Sequence, residues 1–176
     1  MRRSLALTVV AAVSLVSVAV APAAVPPTHT TVTQQASLTN PTACGSYGVT
    51  WNINLTADIW TFFDDEGRRT KVVQQIHEEN TVQNTVTGLT LREGPVNFVQ
   101  TAFFDPETGA RELISISGVS VDVRRGDEHL LDAGYLLIDG QTGEILVSYG
   151  PHPVRSLLDG SFNIALALPG FCDILR

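Results

Sequence analysis

Sulfur is scarce in this chain of 176 residues, which has one methionine and two cysteines. The two cysteines, Cys44 and Cys172, are far apart and have no histidine nearby at ligand spacing, so they do not form a zinc motif. Fixed-spacing signatures are also missing, among them Gly-x-Ser-x-Gly, His-Glu-x-x-His, the dinucleotide-binding glycine pattern and the EF-hand series of acids. No motif therefore identifies a type of reaction, and we expect no cofactor and no metal.

Long apolar runs are absent except at the start of the chain. Arg2 and Arg3 precede an uncharged segment from Leu5 to Val20, and the small residues of Ala21-Pro22-Ala23 follow. This order is that of a secretory signal peptide, so we predict that residues 1–23 are removed and that the protein is extracellular. An uncleaved anchor is the less favoured alternative, because the run is short for a span of about 20 residues.

Export bears on the two cysteines. Thiols outside the cytosol tend to oxidise, and Cys44 and Cys172 leave one internal pairing available. We predict that disulfide, which would tie the start of the domain to its end. Two free thiols or an intermolecular bridge are the alternatives.

Basic side chains are few. Removing Arg2 and Arg3 with the signal peptide leaves 9 basic against 18 acidic side chains. An acidic chain does not suit nucleic acid, whose phosphates need a basic face, and we also expect no membrane contact after cleavage.

Apolar periodicity is weak over residues 24–43, which are rich in Thr, Pro and Gln. We predict a flexible leader there, with His29 exposed, and a single domain over residues 44–176.

Several short segments share one turn pattern. Asn84–Gly88, Asp105–Gly109 and Asp139–Gly143 read Asn/Asp-x-x-Thr-Gly, and Asp64–Gly67 is a shortened relative. The leading side chain accepts backbone N–H groups and the final glycine takes a positive φ, so the pattern predicts hairpins rather than calcium loops.

Alternating apolar and polar residues between these turns predict strands. Interruptions at Gly94 and Gly118 raise their number to about eight. We predict an all-β antiparallel meander that is a closed or partly closed barrel, with a β-sandwich as the alternative. Barrel closure would make the first and last strands neighbours, with the disulfide at their seam. The predicted strands are 47–63, 68–83, 89–104, 110–124, 130–138, 144–150 and 161–168, with a short helical turn over 153–159.

The whole pattern resembles a group of small exported proteins of actinobacteria whose activity is not known. The resemblance lies in the Ala/Val-rich signal, the cysteine before the first strand, the Asn/Asp-x-x-Thr-Gly turns and the ending "FCDILR" with its Cys-x-x-Leu. The resemblance implies a single β domain, and it gives no activity that can be assigned to this chain. A comparison with lipocalin-like barrels is only architectural, because Gly48 and Trp51 are one residue too far apart for the Gly-x-Trp of that family.

Histidines and aromatic side chains supply the candidate sites. His77 lies in a strand-like segment, where a helical zinc motif cannot form. His152 lies in a late loop and is the best polar candidate, since loops often carry function. Strand aromatics could instead line an apolar ligand site or a partner patch. The candidate lining residues are Trp51, Trp60, Phe62, Phe98, Phe104 and Tyr135.

These observations favour a secreted structural or interaction protein, whose partner is an extracellular protein or a cell-wall component. A barrel that binds a small apolar ligand is the first alternative. A barrel enzyme that uses His152 or His77 is the second, and no catalytic residue is assigned because no motif supports one.

Overall fold

Nine strands make up most of the computed structural model, which describes residues 25–155 and 164–176. The predicted signal peptide, which we expect to be helical, lies outside the described residues. A 3-10 helix, Ile164–Phe171, follows the strands and is the last element. The strands are β1 Thr28–Asn40, β2 Val49–Phe63, β3 Arg69–Glu78, β4 Thr81–Asn84, β5 Thr90–Arg92, β6 Val96–Phe104, β7 Arg111–Arg125, β8 Glu128–Asp139 and β9 Ile145–Tyr149.

All nine strands belong to one antiparallel sheet in which hairpin-connected neighbours pair. Strands β3 and β4 both pair with β2 and act as one long strand with a break between them. Strands β5 and β6 are the next long strand, broken at Gly94-Pro95 as predicted. An isolated β-bridge pairs the backbone of Glu93 with that of Val123 in β7. This pair has the same register as Phe98 and Gly118, so β5 and β6 follow one line along β7. The antiparallel all-β meander is thus confirmed.

The sheet is open, so the prediction of a closed barrel is wrong. Strand β1 pairs with β2 and β9 pairs with β8, which leaves the first and last strands at opposite edges. The strand predicted over 161–168 does not form in its described part, because residues from Ile164 onward are in the 3-10 helix. The predicted helical turn over 153–159 lies largely outside the described residues.

The flexible leader is also a wrong prediction, since β1 occupies most of it. Its register with β2 runs from Thr28 opposite Thr61 to Asn40 opposite Val49. Polar side chains hold the two strands together on one face. Examples are Thr39 with Thr50, Ser37 with Asn52 and Thr31 with Asp58. These cross-strand hydrogen bonds stabilise a strand whose sequence lacks apolar alternation.

The disulfide between Cys44 and Cys172 is confirmed, with the two Cα atoms 5.4 Å apart. It joins the turn between β1 and β2 to the residue after the 3-10 helix, instead of joining two edge strands. The Tyr47 hydroxyl donates to the Cys172 carbonyl, and the Asn84 amide donates to the Leu175 carbonyl at 3.0 Å. The covalent and hydrogen bonds together fix the C-terminal segment on the sheet.

Apolar side chains on the inner face of the sheet form two buried clusters. The C-terminal segment covers the first cluster, where the Phe171 ring meets the Trp51 ring at 5.0 Å. The second cluster spans the inner faces of five strands. The first contains Val49, Trp51, Ile53, Val82, Val121, Val123, Val154, Ala167, Leu168, Phe171, Ile174 and Leu175; the second contains Ala57, Ile76, Phe98, Ile114, Ile116, Leu136 and Ile138.

The predicted hairpin turns are confirmed in their hydrogen bonds and backbone angles. The Asp105 carboxylate accepts the N–H groups of Thr108 and Glu107, and Gly109 has a φ of +70°. These two backbone donors lower the pKa of Asp105 below its ordinary value. The Asn84 and Asp139 turns repeat the same geometry.

Candidate functional site

A belt of buried polar side chains crosses the inner face between the two apolar clusters. Its members are Glu78, Asn80, Glu93, Ser120 and Asp132, each at most 5% exposed. Glu78 ends β3, Asn80 lies between β3 and β4, and Glu93 lies between β5 and β6. Ser120 is at the bulge of β7, and Asp132 lies opposite that bulge on β8. The belt therefore lies at breaks and at a bulge in the strands. Such irregularities leave backbone N–H and C=O groups without partners in the sheet, and buried polar side chains can form hydrogen bonds with them.

Two carboxylates in the belt share one amide. Asn80 Nδ2 donates to Glu78 Oε2 and to Glu93 Oε2, each at 2.8 Å. Trp51 Nε1 donates to the same oxygen of Glu93 at 2.9 Å. Asn80 Oδ1 in turn accepts the backbone N–H of Asn54 at 3.0 Å. Asn80 thus joins both carboxyl groups to β2.

Burial disfavours the charged forms of both carboxyl groups. Burial raises the pKa of Glu93 to about 7, against the opposing hydrogen bonds from Asn80 and Trp51, and the neighbouring Glu78 raises it further. Burial also raises the pKa of Glu78. Glu93 Oε1 has no hydrogen-bond partner among the described residues, so nothing at that oxygen offsets the cost of burying the charged form.

Arg155 lies close enough to act on both carboxyl groups. Its positive charge favours the ionised forms of Glu78 and Glu93, although burial outweighs it at each group. The Arg155 guanidinium carbon lies 5.1 Å from the centre of the Phe98 ring. A cation held over an aromatic face is partly desolvated and attracted by the ring.

Asp132 positions the loop that carries Arg155. Its carboxylate accepts the backbone N–H groups of Val154 and Arg155 at 3.0 and 2.7 Å, and the Ser120 hydroxyl at 2.7 Å. His152 Nδ1 lies 3.1 Å from the same carboxylate, and His152 Nε2 lies 3.0 Å from the Tyr149 carbonyl oxygen. Both ring nitrogens of His152 thus face oxygen atoms of the fold.

The serine, histidine and aspartate of this group do not form a hydrolytic triad. The Ser120 hydroxyl donates to Asp132, and the nitrogen of His152 that would activate a serine faces a backbone carbonyl. His152, the predicted polar loop candidate, therefore anchors a loop. Sequence reasoning missed Glu93, although a charged residue directly before the Gly94-Pro95 break was a usable signal.

The aromatic residues predicted to line one site lie on different faces. Trp51 and Phe98 point into the interior, at 0% and 4% exposure. Phe104 lies beneath the Arg69 guanidinium, 3.8 Å from its carbon atom. The remaining three, Trp60, Phe62 and Tyr135, lie on the outer face, because successive residues of a strand alternate between faces.

These three outer aromatics belong to a larger apolar surface. The registers set Trp60 opposite Val73, Phe103 opposite Leu113, and Tyr135 opposite Tyr149 across neighbouring strands. Phe103 is 37% exposed and Tyr149 is 70% exposed. We call this surface the outer stripe. It comprises Trp60, Phe62, Val73, Val99, Phe103, Leu113, Tyr135, Leu137, Val147 and Tyr149.

Polar groups border the outer stripe. The His29 ring stacks on Trp60 with ring centres 4.8 Å apart, and the Lys71 ammonium lies 4.2 Å from the centre of the Phe62 ring. The Thr31 hydroxyl and His29 bind Asp58 and lower its pKa. Lys71 lies between Phe62 and Phe103 in the strand registers, so polar side chains interrupt the outer stripe as well as border it.

Comparisons with family models, with curated proteins and with solved structures find no match for this chain. Function must therefore be argued from the geometry. An open cleft of about 500 Å³ between the start of β8 and the C-terminal segment contains none of the six predicted lining aromatics. Over residues 25–155 and 164–176 no helix is long and apolar enough to span a membrane, and no group of three potential metal ligands occurs.

The other histidines of the sequence lie outside any cluster. His77 Nδ1 is 2.8 Å from the Asn97 side-chain oxygen on the exposed outer face of β3. His129 pairs with Asp122 at 2.9 Å. Each histidine thus has a local polar partner.

Proposed function

We propose that this protein is a secreted interaction protein that binds an extracellular protein partner through the outer stripe. The observation that carries the proposal is that each of β2, β3, β6, β7, β8 and β9 places apolar side chains on the face opposite the core, with no described segment over them. Thr101, Ser115 and Ser117 lie between some of these side chains. Covering such a surface with a partner removes apolar area from water, which is the main favourable term in protein association.

The placement of the aromatics supports a partner over an enclosed apolar ligand. Trp51 and Phe98 are packed in the core, whereas Trp60, Phe62 and Tyr135 face outward. A ligand inside a barrel would need these rings to converge on one cavity. The buried carboxyl pair, with its unpartnered Glu93 oxygen, is the feature that favours the enzyme alternative. However, both carboxyl groups are buried, and no nucleophile adjoins them among the described residues.

Site-specific photo-crosslinking in the secreting cells tests the proposal. Phe103, an exposed member of the outer stripe, is replaced by a benzophenone amino acid, which keeps an aromatic ring at that position. The matched control carries the same group at Val86, which is 72% exposed at the tip of the turn between β4 and β5. We expect a discrete protein adduct from position 103 and none from position 86.

Three outcomes would contradict the proposal. Absence of any protein adduct at position 103 would remove the outer stripe as a binding surface. Equal adducts from positions 103 and 86 would show contact without a specific surface. An adduct with lipid or polysaccharide instead of protein would also overturn the partner class.

A further inference from the structure

Beside the outer stripe, the outer face of the sheet has a region with no apolar side chain. Strands β3 and β4 pair with β2 in one continuous register, and β1 pairs with the other side of β2. Every second residue of 31–39, 50–58 and 75–83, counted from the first of each range, therefore faces outward. These side chains carry hydroxyl, amide, imidazole or carboxylate groups, and we call them the polar array.

The composition of the polar array differs from that of an ordinary solvated surface. Such a surface is rich in charged side chains of both signs. The array has no Lys or Arg, and only Asp58 and Glu79 carry a formal charge. Asn is also disfavoured in strands, yet Asn52 and Asn54 both lie in the middle of β2. Solvation and strand propensity therefore do not explain this choice of neutral hydrogen-bonding groups, whereas a polar ligand does.

Hydrogen bonds across the strands hold side chains of the array in place. Ser37 donates to the Asn52 side-chain oxygen at 2.7 Å, and the Asn52 amide donates to the Thr81 hydroxyl at 3.3 Å. The hydroxyl oxygens of Thr39 and Thr50 are 2.9 Å apart. Hydroxyl and amide groups can form more hydrogen bonds than these contacts use. Because the groups are already ordered, they lose less side-chain entropy when a ligand binds.

A groove of about 280 Å³ crosses the array over β1, β2 and the end of β3. Gln35 makes no side-chain hydrogen bond in the described part of the chain, so its whole amide is available at the groove. Asn54 Nδ2 donates to the Glu79 carbonyl at 3.1 Å, which leaves Asn54 Oδ1 to accept from a ligand. His77 Nδ1 faces the Asn97 side chain, which leaves His77 Nε2. The groove is lined by Leu55 and by the polar residues Thr33, Gln35, Asn54, Thr56, His77 and Glu79.

We propose that this groove and the polar array around it bind a neutral polysaccharide. Sugar hydroxyl groups both donate and accept hydrogen bonds, as do the amides and hydroxyls of the array. An array without Lys or Arg, on a chain of net charge −7, does not suit an anionic polymer. Without apolar side chains the array does not suit a lipid.

The length of the array favours a polymer. Residues 31–39 of β1 span about 27 Å at about 3.4 Å per residue, which suits a chain of several sugars instead of a single one. The inference is independent of the proposed function, because the polar array and the outer stripe are different parts of the outer face.

Affinity electrophoresis of the secreted chain tests the proposal. Native gels contain mixed-linkage β-glucan, galactomannan or dextran as neutral probes, or alginate as an anionic probe, and insoluble cellulose and chitin are tested by co-sedimentation. We expect at least one neutral polysaccharide to bind wild type and alginate to have no effect. Gln35→Ala should weaken this binding at least about fivefold, because the amide's hydrogen bonds to the sugar are lost. Gln34→Ala is the matched control, since Gln34 is the exposed neighbour of Gln35 and faces the other side of the sheet.

The variants separate binding from folding. Gln35→Ala should keep the thermal transition of wild type, because its side chain makes no hydrogen bond within the described fold. Failure of every neutral polysaccharide to bind wild type would overturn the inference. Unchanged binding by Gln35→Ala, an equal loss in Gln34→Ala, or equally strong binding of alginate would do the same. If no polysaccharide binds while position 103 still crosslinks to a protein, this inference fails and the proposed function stands.

Discussion

Glu93→Gln removes the buried carboxyl group while keeping a side-chain oxygen that can accept from Trp51 and Asn80. The wild-type pKa of about 7 in the folded state exceeds the ordinary value of 4.5. At about 1.4 kcal/mol per unit, this difference is worth about 3 kcal/mol of unfolding free energy. The substitution should therefore change how stability depends on pH, whatever it does to stability at one pH.

The sign follows from the raised pKa. Below the ordinary value the carboxyl group is protonated in both states, and its full contribution to stability is present. As pH rises towards 7, the unfolded chain loses this proton first, so the wild type loses about 3 kcal/mol of stability by pH 8. Glu78, whose pKa is also raised, adds to the loss in the same direction. Asp58, Asp105 and Asp139 have lowered pKa values and act oppositely, because their contribution is lost as pH falls below 3.8.

Urea unfolding at a series of pH values between about 4 and about 8.5 measures the effect. The wild type should be most stable near the acidic end, and Glu93→Gln should lose about 3 kcal/mol less than wild type over the series. Glu79→Gln is the control, since Glu79 is the exposed neighbour of Glu78 and its loss should leave the profile unchanged. If wild type and Glu93→Gln give parallel profiles, the carboxyl group is not the buried titrating group and the account of the belt fails.

Three further predictions concern stability by urea unfolding. Replacing Cys44 and Cys172 by serine opens a loop of 128 residues and should cost about 4–5 kcal/mol in the chain-entropy model; a loss below about 1 kcal/mol would refute it. Asp132→Ala leaves several buried donors unpaired and should cost about 2–4 kcal/mol; an unchanged midpoint would show that the carboxylate does not hold the loop. Gly134→Ala should cost about 2–4 kcal/mol, because Gly134 has a φ of +133° and a Cβ there would lie 2.0 Å from the Tyr149 carbonyl oxygen; near-neutral stability would contradict this close approach.

Local chemistry made the central strands predictable. The strand predicted over residues 110–124 is observed as Arg111–Arg125, and the turn at Asp105 has the expected hydrogen bonds. Both depend on residues close in sequence, since alternation sets a strand face and an Asp side chain sets its own turn. The same alternation misled at residues 161–168, because "IALAL" also suits a segment buried by distant contacts.

The aromatic residues show the limit of sequence patterns for the site. The alternation of side chains along β2 places Trp51 and Trp60 on opposite faces of the sheet. It cannot predict which distant strands add apolar side chains to the outer face. That surface depends on the registers of six strands. The buried pairing of Glu78 with Glu93 was likewise out of reach, because the two lie on different strands and meet only through Asn80.

The sequence alone determined the all-β class, the hairpin turns, most strand bounds and the cysteine pairing, because each depends on neighbouring residues or on having only two thiols. Tertiary structure decided that the sheet stays open, that the leader becomes its first strand and that Ile164–Phe171 form a 3-10 helix. It also decided where buried charge and exposed apolar surface collect. These features arise from contacts between residues far apart in the chain, whose free energies no local pattern records.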